Sequence, residues 1–94
     1  MIRHIVFTKF QNPAEHVPHA RALLEALPAQ IPEIVSLETG CDFLRSERSW
    51  DMALVVSFRS REALETYAAH PAHLKVKEYI HAHRCGSATV DYEL

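Results

Sequence analysis

Apolar and polar positions alternate with a period of two in several stretches of this chain, and between them recur every three or four residues. The first stretch, IRHIVFTKF, sets Ile2, His4, Val6, Thr8 and Phe10 on one face and Ile5 and Phe7 on the other, so a strand here is largely apolar on both sides. In NPAEHVPHARALLEALPAQIP the residues Val17, Ala20, Leu24, Leu27 and Ile31 follow at spacings of three and four, one stripe of a helix. Pro18 is expected in the first turn of that helix, and Pro28 is expected to end or tighten it. EIVSLETGCDF alternates Val35, Leu37, Thr39, Cys41 and Phe43 with Ser36, Glu38, Gly40 and Asp42, the pattern of a half-buried strand.

Beyond the polar connection LRSERS, the stretch WDMALVVSF sets Met52, Leu54, Val56 and Phe58 opposite Ala53 and Val55 and reads as a central strand. Ser60 is suited to cap the next helix, with Glu62 near its positive end and Leu64, Tyr67 and Ala68 on its inner face. Pro71 is placed to end that helix and start another, and His70 just before it is positioned as a cap. In the new helix His73, Val76 and Ile80 share a stripe, with Tyr79 and His83 beside it. SATVDYEL alternates Ala88, Val90, Tyr92 and Leu94 with Thr89, Asp91 and Glu93 as a closing strand. The order βαββαβ predicts an α+β, ferredoxin-like fold, a four-stranded antiparallel sheet with helices on one face. Helices on one face leave the other bare, yet the first and third strands are apolar on both. The bare face is therefore expected to pack against a second copy in a two-fold homodimer.

At 94 residues the chain has room for one domain, taken as 1–94, and a domain this small gains stability from self-association. A hydrophobic fraction of 48% supports a packed core over disorder. The net charge of −2, with no basic stripe, argues against nucleic acid or an anionic membrane as partner. No apolar run approaches membrane-spanning length and MIRHIVFTKF lacks a signal-peptide core, so a cytoplasmic location is the expectation. Cys41 and Cys85, without a CxxC partner, then read as buried or free thiols, a bond between them being left open. With Gly40 and Gly86 as its glycines the chain has no Gly-rich phosphate loop, and it has neither GxSxG nor HExxH.

The first strand with its histidine, MIRHIVFTKF, the segment YAAHPAH and the terminal VDYEL occur together. With them the chain resembles the stress-responsive dimeric α/β-barrel (Dabb) domain proteins over essentially its whole length. The resemblance implies the same ferredoxin-like fold and a barrel-forming homodimer. That family includes plant polyketide cyclases, stress-induced proteins and many bacterial members without an assigned reaction. In the cyclases a Tyr and a His act as an acid/base pair between sheet and helices. Through the pattern YxxHPxH the resemblance carries these roles to Tyr67 and His73, with His4 of the first strand in the same pocket. A third-strand histidine of the cyclases is matched here by Met52, and bulky aromatic residues of their first helix by Ala20 and Leu24. The same substrate and reaction are therefore not implied.

The residues support a related chemistry by themselves. His73 shares a stripe with Val76 and Ile80, and His4 a strand face with Ile2, Val6 and Phe10, so each imidazole faces apolar surroundings. Imidazole exchanges a proton near neutrality, and a phenol donates a hydrogen bond to a developing enolate. The expected site is an apolar pocket lined by His4, Val6, Thr8, Leu24, Tyr67, His73 and Ile80 that binds a small carbonyl compound of aromatic or polyketide type. In it His73 would be the general base, Tyr67 the donor to the carbonyl and His4 the group that orients the ligand, with no cofactor required. The same residues also read as plain core in a non-catalytic stress-response or assembly protein whose dimer surface is the working part. A metal site is disfavoured: His70 and His73 straddle Pro71, His16 and His19 are expected to be solvated in a first turn, and His81 and His83 point differently. Trp50 raises a haem alternative, because haem-degrading monooxygenases share the barrel arrangement, but it is expected to pack at the barrel rim.

Overall fold

β-branched and aromatic residues carry the chain through β1 (Ile2–Phe10) and β3 (Met52–Phe58), which form the middle of a four-stranded sheet. The computed structural model describes residues 1–94. The edges are β2 (Ser36–Cys41) beside β3 and β4 (Arg84–Glu93) beside β1, and every neighbouring pair is antiparallel. This is the expected ferredoxin-like order. Register places His4 opposite Val56 and Asp91, Val6 opposite Leu54 and Thr89, and Thr8 opposite Met52 and Ser87. Directly opposed residues share a face, so all of these look toward the helices.

The helices are α1 (Pro13–Glu25), α2 (Arg61–Ala69) and α3 (Pro71–His83), and a 3-10 turn at Leu27–Ala29 tightens the chain after α1. The expected stripe is buried, but α1 carries only Val17, Ala20 and Leu24 of it; Leu27 lies in the 3-10 turn and Ile31 beyond it, and all five meet Leu54, Val56 and Phe58 in the core. Pro18 departs from expectation and lies inside α1. Asn12, in the left-handed region at φ 47°, starts the helix early with Pro13 in its first turn. Pro18 is on the exposed side, where water can serve the carbonyl that its missing N–H leaves free. Ser60 caps α2 by accepting the Ala63 N–H at 3.1 Å, and the His70 ring caps α3 by accepting the Ala72 N–H at 3.0 Å.

β2 is shorter than its alternation suggested, with Leu37 and Thr39 half-buried and Cys41 exposed. Val35 and Phe43 fall outside it and are 42% and 92% exposed. The chain turns away after Cys41 because buried Asp51 ties the following loop down. Its carboxylate accepts the Phe10 N–H at 2.8 Å and the Arg45 guanidinium at 2.6 Å. Cys41 and Cys85 lie on opposite sheet edges, about 14 Å apart at three strand spacings, too far for a bond within one chain. No helix is long and apolar enough to cross a membrane.

Candidate functional site

Between the inner face of the sheet and the helices lies a cavity of about 290 Å³, at the lower end of the ~300–1,000 Å³ typical of small-molecule sites. β1 contributes His4, Val6 and Thr8 to its wall, α1 Leu24, α2 Tyr67, and α3 His73 and Ile80. The fold thus brings every residue nominated from the sequence to one cavity. The strand period puts the β1 residues on one face, and the cap at His70 restarts the helix so that His73 comes back against Tyr67.

Tyr67 is 1% exposed. Its ring centre lies 5.0 Å from that of Phe58, 4.3 Å from that of His73 and 6.2 Å from that of His4. The hydroxyl is buried without a hydrogen-bond partner, a condition that costs on the order of 1–3 kcal/mol. Burial pushes its pKa up to about 12, so the phenol keeps its proton at any ordinary pH. It is a donor awaiting an acceptor.

The ring of His73 is held from the end of α2, with Nδ1–H donating to the Ala68 carbonyl at 3.1 Å. That bond fixes the tautomer and leaves the Nε2 lone pair as the basic position. Burial holds the His73 pKa below its ordinary 6.5. The Ala68 carbonyl works the other way, and the charges of Lys77, His4 and His70 add to the lowering. His73 is therefore neutral at pH 7. His4 meets the Asp91 carboxylate through Nδ1, which leaves its Nε2 for a ligand.

Spacing along the chain does not mark Asp91 beside His4, nor the cavity-lining Lys77, His81 and Arg84, as members of the site. The alternation of SATVDYEL already grouped Asp91 with Thr89, but which group faces inward is decided by pairing with β1. His16 departs from the solvated expectation: it is half-buried and stacks on His83 at 4.0 Å, while His19 stacks on Tyr79 at 4.4 Å where α1 crosses α3. No three His, Cys, Asp or Glu side chains are grouped to hold a metal ion. Trp50 lies outside the cavity, with its ring against Gly86 and the Lys9 ammonium 5.0 Å from the ring centre.

A family model described as the stress responsive A/B barrel domain (Dabb) matches residues 2–94. Among solved structures, a dimeric protein of unknown function and ferredoxin-like fold from Bacteroides fragilis is 28% identical with a TM-score of 0.90, over 99% of this chain and 95% of that one. A dimeric ferredoxin-like protein of unknown function from Thermobifida fusca is 25% identical with a TM-score of 0.88, over 99% and 90% of the two chains. Hydroxynitrile lyase from Passiflora edulis, 17% identical over 99% and 92%, has a TM-score of 0.87 and is alike in fold. No curated protein matches the chain.

Proposed function

Because this chain belongs to the stress responsive A/B barrel (Dabb) domain family, we propose that it is a homodimer whose subunits each bind a small aromatic or polyketide-like carbonyl compound between sheet and helices and move a proton on it. The observation that carries this reading is the buried, unpartnered Tyr67 hydroxyl in the same cavity wall as a neutral His73. A core tyrosine normally finds an acceptor, and a carbonyl oxygen would supply one. The fold hosts at least one enzyme, the Passiflora edulis hydroxynitrile lyase.

His73 Nε2 takes the proton from the carbon next to the carbonyl. The C–H electron pair becomes a C=C bond, and the carbonyl π pair moves onto oxygen. Tyr67 donates its hydrogen bond to that enolate oxygen and remains protonated, since its pKa of about 12 lies far above working pH. His4, fixed by Asp91, orients the substrate. In a ligand with a second carbonyl, the enolate carbon attacks it and the imidazolium returns its proton to the new alkoxide. These side chains complete the sequence of steps.

The dimer is supported by the sheet's outer face. Ile5, Phe7, Val55 and Val90 form an apolar surface there, with Phe7 42% and Val90 62% exposed. On the same face Arg3 has a buried Nε without a partner. The two relatives of 25–28% identity are both described as dimeric.

The functional reading is tested by following exchange of the methyl protons of 2-acetylnaphthalene with D2O by NMR. The wild-type protein is expected to accelerate exchange, and H73Q to lose roughly 10²–10⁴-fold of the acceleration. Exchange at the buffer rate with wild-type protein would reject it. A non-catalytic assembly protein is the second reading, favoured by the bare outer face. It predicts that H73Q changes stability alone.

A further inference from the structure

The mouth of the cavity differs chemically from its floor. Of the lining residues, Lys77 and His81 of α3, Arg84 at the start of β4, and Ser87 and Thr89 are exposed, whereas Leu24, Leu54 and Tyr67 are buried. No Asp or Glu lines the wall, and the Asp91 carboxylate beside it is engaged by His4. The ion pairs within the chain engage His4, Arg21, Arg45 and Arg61, leaving the charges of Lys77 and Arg84 uncompensated. Slight burial, followed by the nearby charges of Arg84 and Lys77, holds His81 below its ordinary 6.5, so the three groups act on a common space. The C-terminus of α3 carries about half a negative charge. That accounts for histidines in its last turn, but it does not balance two full cations, one of which lies more than a turn before the end.

We infer that the ligand carries a carboxylate, seated at the mouth between Lys77 and Arg84, while its carbonyl group reaches inward to Tyr67 and His73. This rests on the cavity being a ligand site, as proposed above, and adds the class of ligand. Arg84 offers a planar pair of donors suited to a carboxylate, Lys77 a point charge, and Ser87 and Thr89 further donors along β4. The wall also includes the apolar side chains of Leu64, Val76 and Ile80 from the two helices that carry Tyr67 and His73. An aromatic acid bearing a ketone at its far end matches exposed cations, apolar walls and a buried phenol.

The test compares binding of 6-acetyl-2-naphthoate with that of its methyl ester by isothermal calorimetry at low salt. The acid is expected to bind wild-type protein about ten-fold more tightly than the ester, with the ratio falling as salt rises. In K77Q/R84Q the ratio should fall to near one, and in K77R/R84K it should persist. Equal affinities in the wild type, or a ratio that survives K77Q/R84Q, would overturn the carboxylate site while leaving the cavity a ligand site. If neither probe binds the wild type, or if Y67F and H73Q bind both as tightly as the wild type, the ligand-site reading fails and this inference with it.

Discussion

Replacing Tyr67 by Phe deletes one oxygen and keeps a ring of the same size against Phe58 and His73. The deleted hydroxyl has no partner, and an unsatisfied buried hydroxyl costs about 1–3 kcal/mol. Y67F is therefore expected to be more stable than the wild type by about 1 kcal/mol at pH 7, which raises Tm by ~4–8 °C in a chain of this size. Alkali adds a second signature. The folded pKa is about 12 and the unfolded value 10.0, so the unfolded chain releases this proton first. The stability due to the protonated phenol is full below pH 10 and is lost as pH rises from 10 toward 12. By pH 11 the loss comes to about 1.4 kcal/mol.

Phenylalanine has no proton to lose, so the advantage of Y67F widens by that amount between neutrality and pH 11. Urea unfolding of both proteins at pH 7, 9 and 11 and fixed ionic strength measures it. The same variant should lose proton-exchange activity, so that stability and function move in opposite directions. A Y67F protein less stable at pH 7, with a gap constant to pH 11, would show that the Tyr67 hydroxyl is not an unsatisfied buried donor. The hydroxyl would then be a satisfied core group, and the functional reading would lose the observation that carries it.

Four further outcomes follow from the same geometry. Burial holds His73 below 6.5, so the unfolded chain takes up a proton below pH 6.5 that the folded chain refuses; wild-type stability should fall from pH 7 to pH 5 more than that of H73Q, in urea unfolding at both pH values. Exchange activity should rise along one acid limb below pH 6.5 and then stay level, because Tyr67 remains protonated well into alkali. Leu27 is fully buried in the core and does not line the cavity, so L27A should cost about 2–5 kcal/mol in unfolding without changing probe affinity. Val90 pairs with Ile5 on the bare outer face, and V90D should convert the proposed dimer to monomers in sedimentation velocity, where an unchanged sedimentation coefficient would count against that interface.

The inward face of β3 was legible because its larger apolar residues, Met52, Leu54, Val56 and Phe58, recur every second position opposite Ala53, Val55 and Ser57, and all four are buried. The α1 stripe and the capping of α2 and α3 by Ser60 and His70 were equally local, since each depends on spacing within one element. Tyr67 and His73 were placed by the resemblance in YAAHPAH, and their stripes agreed with it. What escaped depends on contacts between elements. The His4–Asp91 pair needs the register of β4 on β1, and the stacking of His16 on His83 needs the crossing of α1 with α3. Pro18 was misplaced because its own fixed φ suits a first turn, whereas Asn12 and Pro13 begin the helix before it. The extent of β2 was overread because Phe43 continues the alternation after the loop held by Asp51 has turned the chain away.

A ligand of this protein is expected to meet Tyr67 and His73 in the space between sheet and helices. An NMR titration of the uniformly labelled protein with 6-acetyl-2-naphthoate tests it most directly. Saturable shifts are expected at Tyr67, His73 and His4, with Val55 and Val90 of the outer face unmoved. Saturable shifts confined to the outer face, with the rings of Tyr67 and His73 unperturbed, would contradict it.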